Sequence, residues 1–272
     1  SVQLMSDLPP DRLQSCPPFQ SVGLDVFGPF HIHDGRSTRR TNSTKKIWAA
    51  IFVCLPSRAV HLEPLPAMDT STFRNALSRF IAIRGNYRFI RSDRGTNLSS
   101  TQDQMNAINV SQITKELETK NIVWKMNPPY ASHHGGSYER KIGSVRRVIE
   151  GTLQQTRRQS ISRDEFSTLL AEASSIVNNT PLWTLPNDPN DPAPLTPAML
   201  LTLREHPTSL PAESYTEKDE QAYGKYRHRR VQYLAENFWT RWREEYLLTL
   251  CRRHKWKTKS RCISVGDVVL LR

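Results

Sequence analysis

Residues 21–30 read Ser-Val-Gly-Leu-Asp-Val-Phe-Gly-Pro-Phe, an apolar run that contains a single acidic residue, Asp25. The run is typical of a buried β-strand, which we place over residues 21–28. Burying an unpaired carboxylate costs several kcal/mol, so an acid inside such a strand indicates a functional role more than a structural one. Asp25 is therefore the first candidate site residue.

Two further acids stand at predicted element boundaries. Asp93 follows the strand-like run 87–92, and Glu139 follows a glycine pair where a basic helical pattern begins. Taken singly, Asp93 is explained as a turn residue and Glu139 as a favourable charge at a helix N-terminus. Taken together with Asp25, they can converge on two Mg²⁺ or Mn²⁺ ions, which prefer hard oxygen ligands. Such an ion pair promotes in-line displacement at phosphorus.

Hydrophobic periodicity gives the order of the elements. After the first strand, the apolar runs 47–55 and 59–65 are joined by Pro56-Ser57-Arg58, which predicts an antiparallel hairpin. The remaining pattern predicts helices over 71–84, 102–119, 138–158 and 164–178, and strands over 87–92 and 122–126. Three strands, a helix, a strand, a helix, a strand and two helices predict a mixed α/β sheet with helices on its faces.

The chain divides into four predicted regions. They are a lead-in (1–20), a catalytic core (21–180), a Pro-rich linker (181–218) and a C-terminal region (219–272). One long helix is expected over 219–254. Its aromatic residues Phe238, Trp242 and Tyr246 have the spacing of a packing surface more than that of a base-stacking platform.

Charge and composition narrow the class of partner. Lys and Arg number 38 against 26 Asp and Glu, a net charge of +12. A nucleic acid partner explains this imbalance, although a basic tail or solubility is the simpler alternative. The four cysteines are dispersed, so neither a disulfide framework nor a zinc ribbon is indicated, and a reducing intracellular compartment is expected. No apolar run is long enough to span a membrane, and we expect a segment of a longer polypeptide.

Two basic stretches are candidate DNA contacts. The first is the start of the helix after Glu139, with Arg146 two turns beyond that acid on the same face. The second, 251–261, holds six basic residues and one Trp, and a nuclear-import signal is its competing interpretation. The candidate residues are Arg140, Lys141, Arg146, Arg147, Arg252, Arg253, Lys255, Lys257 and Lys259.

Four segments, 22–30, 58–63, 91–97 and 133–140, together resemble the integrase core of long-terminal-repeat retrotransposons of the Bel/Pao type. The similarity runs from about residue 5 to about residue 205. The resemblance implies a ribonuclease H-like fold with a mixed five-stranded sheet and a D,D,E triad at Asp25, Asp93 and Glu139. It also implies two Mg²⁺ or Mn²⁺ ions, homo-oligomers, and a nuclear location with a cytoplasmic phase.

By the same resemblance, the reactions are trimming of the element's DNA ends and their joining to target DNA. Residues 265–269 are similar to the opening strand of a small SH3-like barrel. Two alternatives remain open at this point. A ribonuclease H-type nuclease would share the fold and the metals, and a non-catalytic integrase-derived scaffold would bind DNA without reacting.

Overall fold

The computed structural model describes nine segments of the chain: 16–33, 44–85, 87–92, 108–126, 136–154, 161–183, 194–204, 215–220 and 227–247. Its strands are β1 (Ser21–His33), β2 (Thr44–Cys54), β3 (Val60–Leu65), β4 (Phe89–Ser92), β5 (Val123–Met126) and β6 (Ile161–Ser162). Its helices are α1 (Thr70–Arg84), α2 (Val110–Glu118), α3 (Gly136–Gln154), α4 (Arg163–Asn178), α5 (Pro197–Thr202), α6 (Glu217–Glu220) and α7 (Arg227–Trp242).

The strands form one mixed sheet in the order β3-β2-β1-β4-β5, with β6 paired to the end of β1. Strands β1, β2 and β3 are antiparallel, whereas β4 runs parallel to β1 and β5 parallel to β4. This order and these directions are those of the ribonuclease H-like fold, so the predicted fold class is confirmed. The predicted barrel strand at 265–269 lies outside the described residues.

Strand β1 is the centre of the sheet and is longer than predicted. It continues past residue 28 to His33 through an irregularity between Phe27 and Phe30, where its register with β2 shifts. Because side chains alternate across a strand, β1 contributes to two cores. Leu24 and Val26 belong to the core that includes α1 and α2, and Phe27 belongs to the core that includes α3, α4 and α7.

Helix α1 has the ends that the sequence predicts. The Asp69 carboxylate accepts a hydrogen bond from the Thr72 backbone N–H at 2.8 Å, which satisfies a donor of the first turn. Gly85 ends the helix at φ 85°, a left-handed conformation that favours glycine.

Helix α7 packs in the same core as helices α3 and α4. Leu234, Phe238 and Trp242 are buried in one cluster with residues of α3 and α4. Trp242 stacks on Phe238 at 6.0 Å and on Tyr246 at 4.5 Å between ring centroids. The prediction of an aromatic packing surface is therefore confirmed.

The predicted helix over 219–254 is described in part. Within the described residues, α6 covers Glu217–Glu220, α7 covers Arg227–Trp242, and a π-helical turn follows at Arg243–Leu247. The predicted linker also contains a helix, α5, which is capped by Thr196 and contacts α4.

Candidate active site

Asp25 lies in the first half of β1, the central strand of the sheet. It pairs in register with Ile51 of β2. Its own neighbours Leu24 and Val26 are fully buried on the opposite face of the sheet, whereas Asp25 is half-buried on the face of α3. The ladder with β2 fixes the backbone at this position, and the ladder with β4 ends one residue earlier, at Leu24.

Helix α3 contacts β1 at Gly23, two residues before Asp25. An added Cβ at Gly23 would lie 2.6 Å from Cδ2 of Tyr138, so only glycine leaves room for the ring. Tyr138 is 3% exposed and Glu139 is the next residue of the helix. Because residues i and i+2 of a strand share a face, this contact places the first turn of α3 over the face that carries Asp25.

The structure thus brings two of the three predicted acids to one face of the sheet. Glu139 lies in the first turn of α3, where the helix dipole favours a negative charge, and its Oε1 atom is buried. Asp93 lies outside the described residues, and so does the loop 127–135 that precedes α3. Asp93 directly follows Ser92, the last residue of β4, whose register partner on β1 is Leu24.

The end of β4 is anchored from β5. The Trp124 indole N–H donates a hydrogen bond to the Ser92 hydroxyl at 2.8 Å, and both residues are buried. A buried hydrogen bond of this kind fixes the position of the strand end that precedes Asp93.

The donor chemistry at this face fits a hard divalent cation. Asp25 and Glu139 supply carboxylate oxygens, the ligands that Mg²⁺ and Mn²⁺ prefer. In the described part of the chain, no group of three or more His, Cys, Asp or Glu side chains is close enough to hold a metal. Asp93 is the predicted third ligand.

Three of the predicted DNA contacts on α3 are exposed. Arg140, Arg146 and Arg147 all lie on the solvent side of the helix. Arg146 uses its Nε–H in an ion pair with Glu150 at 2.8 Å, and Arg147 lies 3.8 Å from Glu245. Exposed pairs of this kind contribute little to stability, so these arginines can exchange partners.

Lys141, predicted to contact DNA phosphate, is instead placed in the core. It is 6% exposed, and its ammonium lies 4.1 Å from the ring centroid of Tyr246 and 5.0 Å from that of Trp242. Burial, with a smaller effect of the Arg58 charge, lowers the pKa of Lys141 to about 7. The reason for the difference is the docking of α7, which covers this face of α3 with aromatic rings.

The remaining predicted DNA contacts lie outside the described residues: Arg252, Arg253, Lys255, Lys257 and Lys259. Sequence reasoning also missed Gly23 and Tyr138 as the pair that positions Glu139. A glycine inside an apolar strand is the signal for such a close approach, and it was present in the sequence.

One known family matches the C-terminal part of the chain. Residues 226–272 match a family described as a family of unknown function (DUF5641). No curated protein sequence matches the chain. Among the described residues, none of the helices is long and apolar enough to cross a membrane.

Solved structures with a similar fold include three viral proteins. A chain of the simian T-cell lymphotropic virus intasome in complex with PP2A regulatory subunit B56 gamma is 16% identical with a TM-score of 0.45, and the match covers 75% of this chain and 62% of that chain. The HTLV-2 integrase catalytic core domain in complex with magnesium (trimeric form) is 14% identical, with a TM-score of 0.42 and coverage of 69% and 99%. The BIV integrase catalytic core domain is 13% identical, with a TM-score of 0.40 and coverage of 67% and 93%.

This chain thus spans less than two thirds of the intasome protein. The strand order and strand directions of this chain define its ribonuclease H-like fold.

Proposed function

We propose that this chain is the catalytic core of an integrase-like polynucleotidyl transferase of a Bel/Pao-type retrotransposon, which trims element DNA ends and joins them to target DNA. The observation that carries the proposal is the contact of Tyr138 with Gly23. It brings the helix turn of Glu139 to the face of β1 that presents Asp25. Carboxylates on a strand and at a helix start that face one site can hold the divalent cations that metal-assisted phosphodiester chemistry uses.

Asp25, Asp93 and Glu139 are the residues that would hold two divalent cations. When bound, the cations supply charge neutralisation at the scissile phosphate and lower the pKa of the attacking hydroxyl or water. Asp25 would contribute its carboxylate from the central strand of the sheet, where β1 is paired with β2. The N-terminus of α3 adds a positive dipole end, which favours both the Glu139 carboxylate and a DNA phosphate.

The exposed arginines of α3 position the DNA in this proposal. Arg146 lies seven residues beyond Glu139, about 10 Å along the helix axis, which is about three times the ~3.4 Å axial spacing of phosphates along one DNA strand. Its Nε–H is bound to Glu150, and its terminal nitrogens can bind a phosphate. Arg140 and Arg147 extend the same basic surface.

The partners in this proposal are the element's DNA ends, the target DNA and further copies of the chain. The basic composition supports the DNA partner, since a net charge of +12 favours a polyanion. The same proposal places the protein in the nucleus, where chromosomal DNA is the target, after a cytoplasmic phase.

A DNA-joining assay with Mg²⁺ tests the proposal through matched variants. Asp25→Asn and Glu139→Gln each remove one ligand charge with little change in size, and Glu118→Gln removes an exposed charge on α2 as the control. We expect the two site variants to lose at least about a hundredfold in joining and end trimming. The control is expected to keep both activities.

The same assay separates the alternatives. A nuclease of the ribonuclease H type would cut DNA or RNA·DNA without joining, and a scaffold would bind DNA without either reaction. Joining activity in Asp25→Asn equal to that of the unmodified chain would overturn the proposed site.

A further inference from the structure

A second cleft lies at the β3 edge of the sheet, away from Asp25. It has a volume of about 630 Å³. It is formed by β3, by the last turns of α1, by one side of α4 and by α5. Three arginines line it, Arg79, Arg84 and Arg204. Its buried polar residues from β3 are His61 and Glu63, which pair with Phe52 and Ala50 of β2 and therefore lie on the α1 face of the sheet.

Arg84 carries a positive charge that no carboxylate neutralises within the described residues. Its Nε–H donates to Nδ1 of His61 at 3.3 Å, and its guanidinium carbon lies 5.2 Å from the ring centroid of Phe19. The side chain is half-buried, and burial lowers the pKa of Arg84. A guanidinium nevertheless stays protonated in proteins, so the cleft holds an uncompensated cation.

His61 and Glu63 fix the orientation of that cation. Because Nδ1 of His61 accepts from Arg84, the ring hydrogen is on Nε2, which donates to Oε1 of Glu63 at 2.9 Å. The other Glu63 oxygen accepts from Nε of Arg79 at 2.6 Å. Among the described residues, the Glu63 charge is thereby used by His61 and Arg79, which leaves the terminal nitrogens of Arg84 for a ligand.

We propose that this cleft binds an oxyanion, the phosphate or carboxylate group of a small molecule. Three arginines against one committed carboxylate leave an excess of positive charge, and a guanidinium fork matches both groups in a bidentate manner. The volume is in the range of small-molecule sites, about 300–1,000 Å³. The site is separate from the proposed catalytic face, because Asp25 pairs with Ile51 and lies on the α3 side.

Isothermal titration with two probes, inorganic pyrophosphate and citrate, tests the proposal on the whole chain. Arg84→Gln removes the uncompensated cation, and Arg74→Gln on the same helix is the control, since Arg74 pairs with Glu116 outside the cleft. We expect at least one probe to bind the unmodified chain, Arg84→Gln to weaken it about tenfold or more, and Arg74→Gln to leave it unchanged.

The relative affinity of the two probes identifies the source of the oxyanion. Tighter pyrophosphate binding indicates a phosphate ligand, and tighter citrate binding indicates a carboxylate ligand. If Arg84→Gln does not fold, Arg204→Gln replaces it, because Arg204 is exposed at the cleft rim and its removal leaves the core intact. The proposal is overturned if neither probe binds at about 10 mM, well above the ~1 mM that corresponds to weak binding. Equal binding by the cleft variant and the control would also overturn it.

Discussion

Replacing Gly23 by alanine tests the contact that positions Glu139. The added Cβ would lie 2.6 Å from Cδ2, 2.7 Å from Cγ and 3.1 Å from Cβ of Tyr138. Carbon atoms in a packed core are separated by about 3.5–4.0 Å, so the ring must move by about 1 Å. Tyr138 is 3% exposed and packed in the core, so we expect the first turn of α3 to move with the ring.

The displacement gives two expected magnitudes. Overpacking a core by one methyl group costs about 1–3 kcal/mol of unfolding free energy. A shift of about 1 Å in a catalytic group costs about a hundredfold in rate. Gly23→Ala is therefore expected to lower DNA joining about a hundredfold while the chain stays folded.

Urea denaturation and the joining assay measure the two effects. Gly143→Ala is the matched control on α3, because an added Cβ there meets nothing within 4 Å, and it should be neutral or stabilising by up to about 1 kcal/mol. Combining Gly23→Ala with Tyr138→Ala removes the ring and should recover about 1–3 kcal/mol relative to the sum of the single variants. Strictly additive unfolding free energies would refute the proposed contact, and so would full joining activity in Gly23→Ala.

Two further variants test buried charges. Lys141→Met keeps an apolar side chain of similar length and removes the ammonium group. The variant should have an unfolding free energy about 1–4 kcal/mol higher at pH 7 in metal-free buffer, since burial lowers the pKa of Lys141 to about 7. Between pH 7 and 10.5, Lys141 is protonated in the unfolded chain but not in the folded one, so the unmodified protein gains stability as pH rises through that window. The difference in unfolding free energy between Lys141→Met and the unmodified protein should therefore shrink, and a difference that stays constant with pH would contradict this. Burial alone would raise the pKa of Glu63, but hydrogen bonds from His61 and Arg79 outweigh it and lower the pKa. The stabilising effect of Glu63 is present above the unfolded pKa of about 4.5 and is lost as pH falls through the lower pKa of the folded state. Glu63→Gln should therefore flatten the acid side of the curve of unfolding free energy against pH. An equally steep loss of stability in acid for the variant would argue against the His61–Glu63–Arg79 network.

The elements that the sequence predicted well are those with local signals. The hairpin at Pro56-Ser57-Arg58 has turn residues between two apolar runs, and Arg58 adopts φ 58° in it. Helix α1 has Asp69 and Gly85 at its ends, so its bounds agree with the prediction to within one residue. Strand β1 was assigned too short because its register shift at Phe27/Phe30 leaves no mark on hydrophobic periodicity.

The features that the sequence did not predict depend on contacts between distant segments. Lys141 has the local context of a surface cation, and only the rings of Trp242 and Tyr246, about 100 residues away in sequence, place it in the core. Packing between distant segments overrides such a local preference, and hydrophobic periodicity carries no information about it.

Helix α3 is contacted at both ends of its buried face, and these contacts determine where the chain can be divided into domains. Near its start, Tyr138 contacts Gly23 of β1. Near its end, the Arg241 guanidinium of α7 lies over Gly151, where an added Cβ would be 2.3 Å from its Nη2 atom. The part of the matched family region that contains α7 therefore packs in the same core as α3. A boundary placed before residue 227 would expose the buried Phe238 and Trp242 and leave the helix of Glu139 supported on one side only.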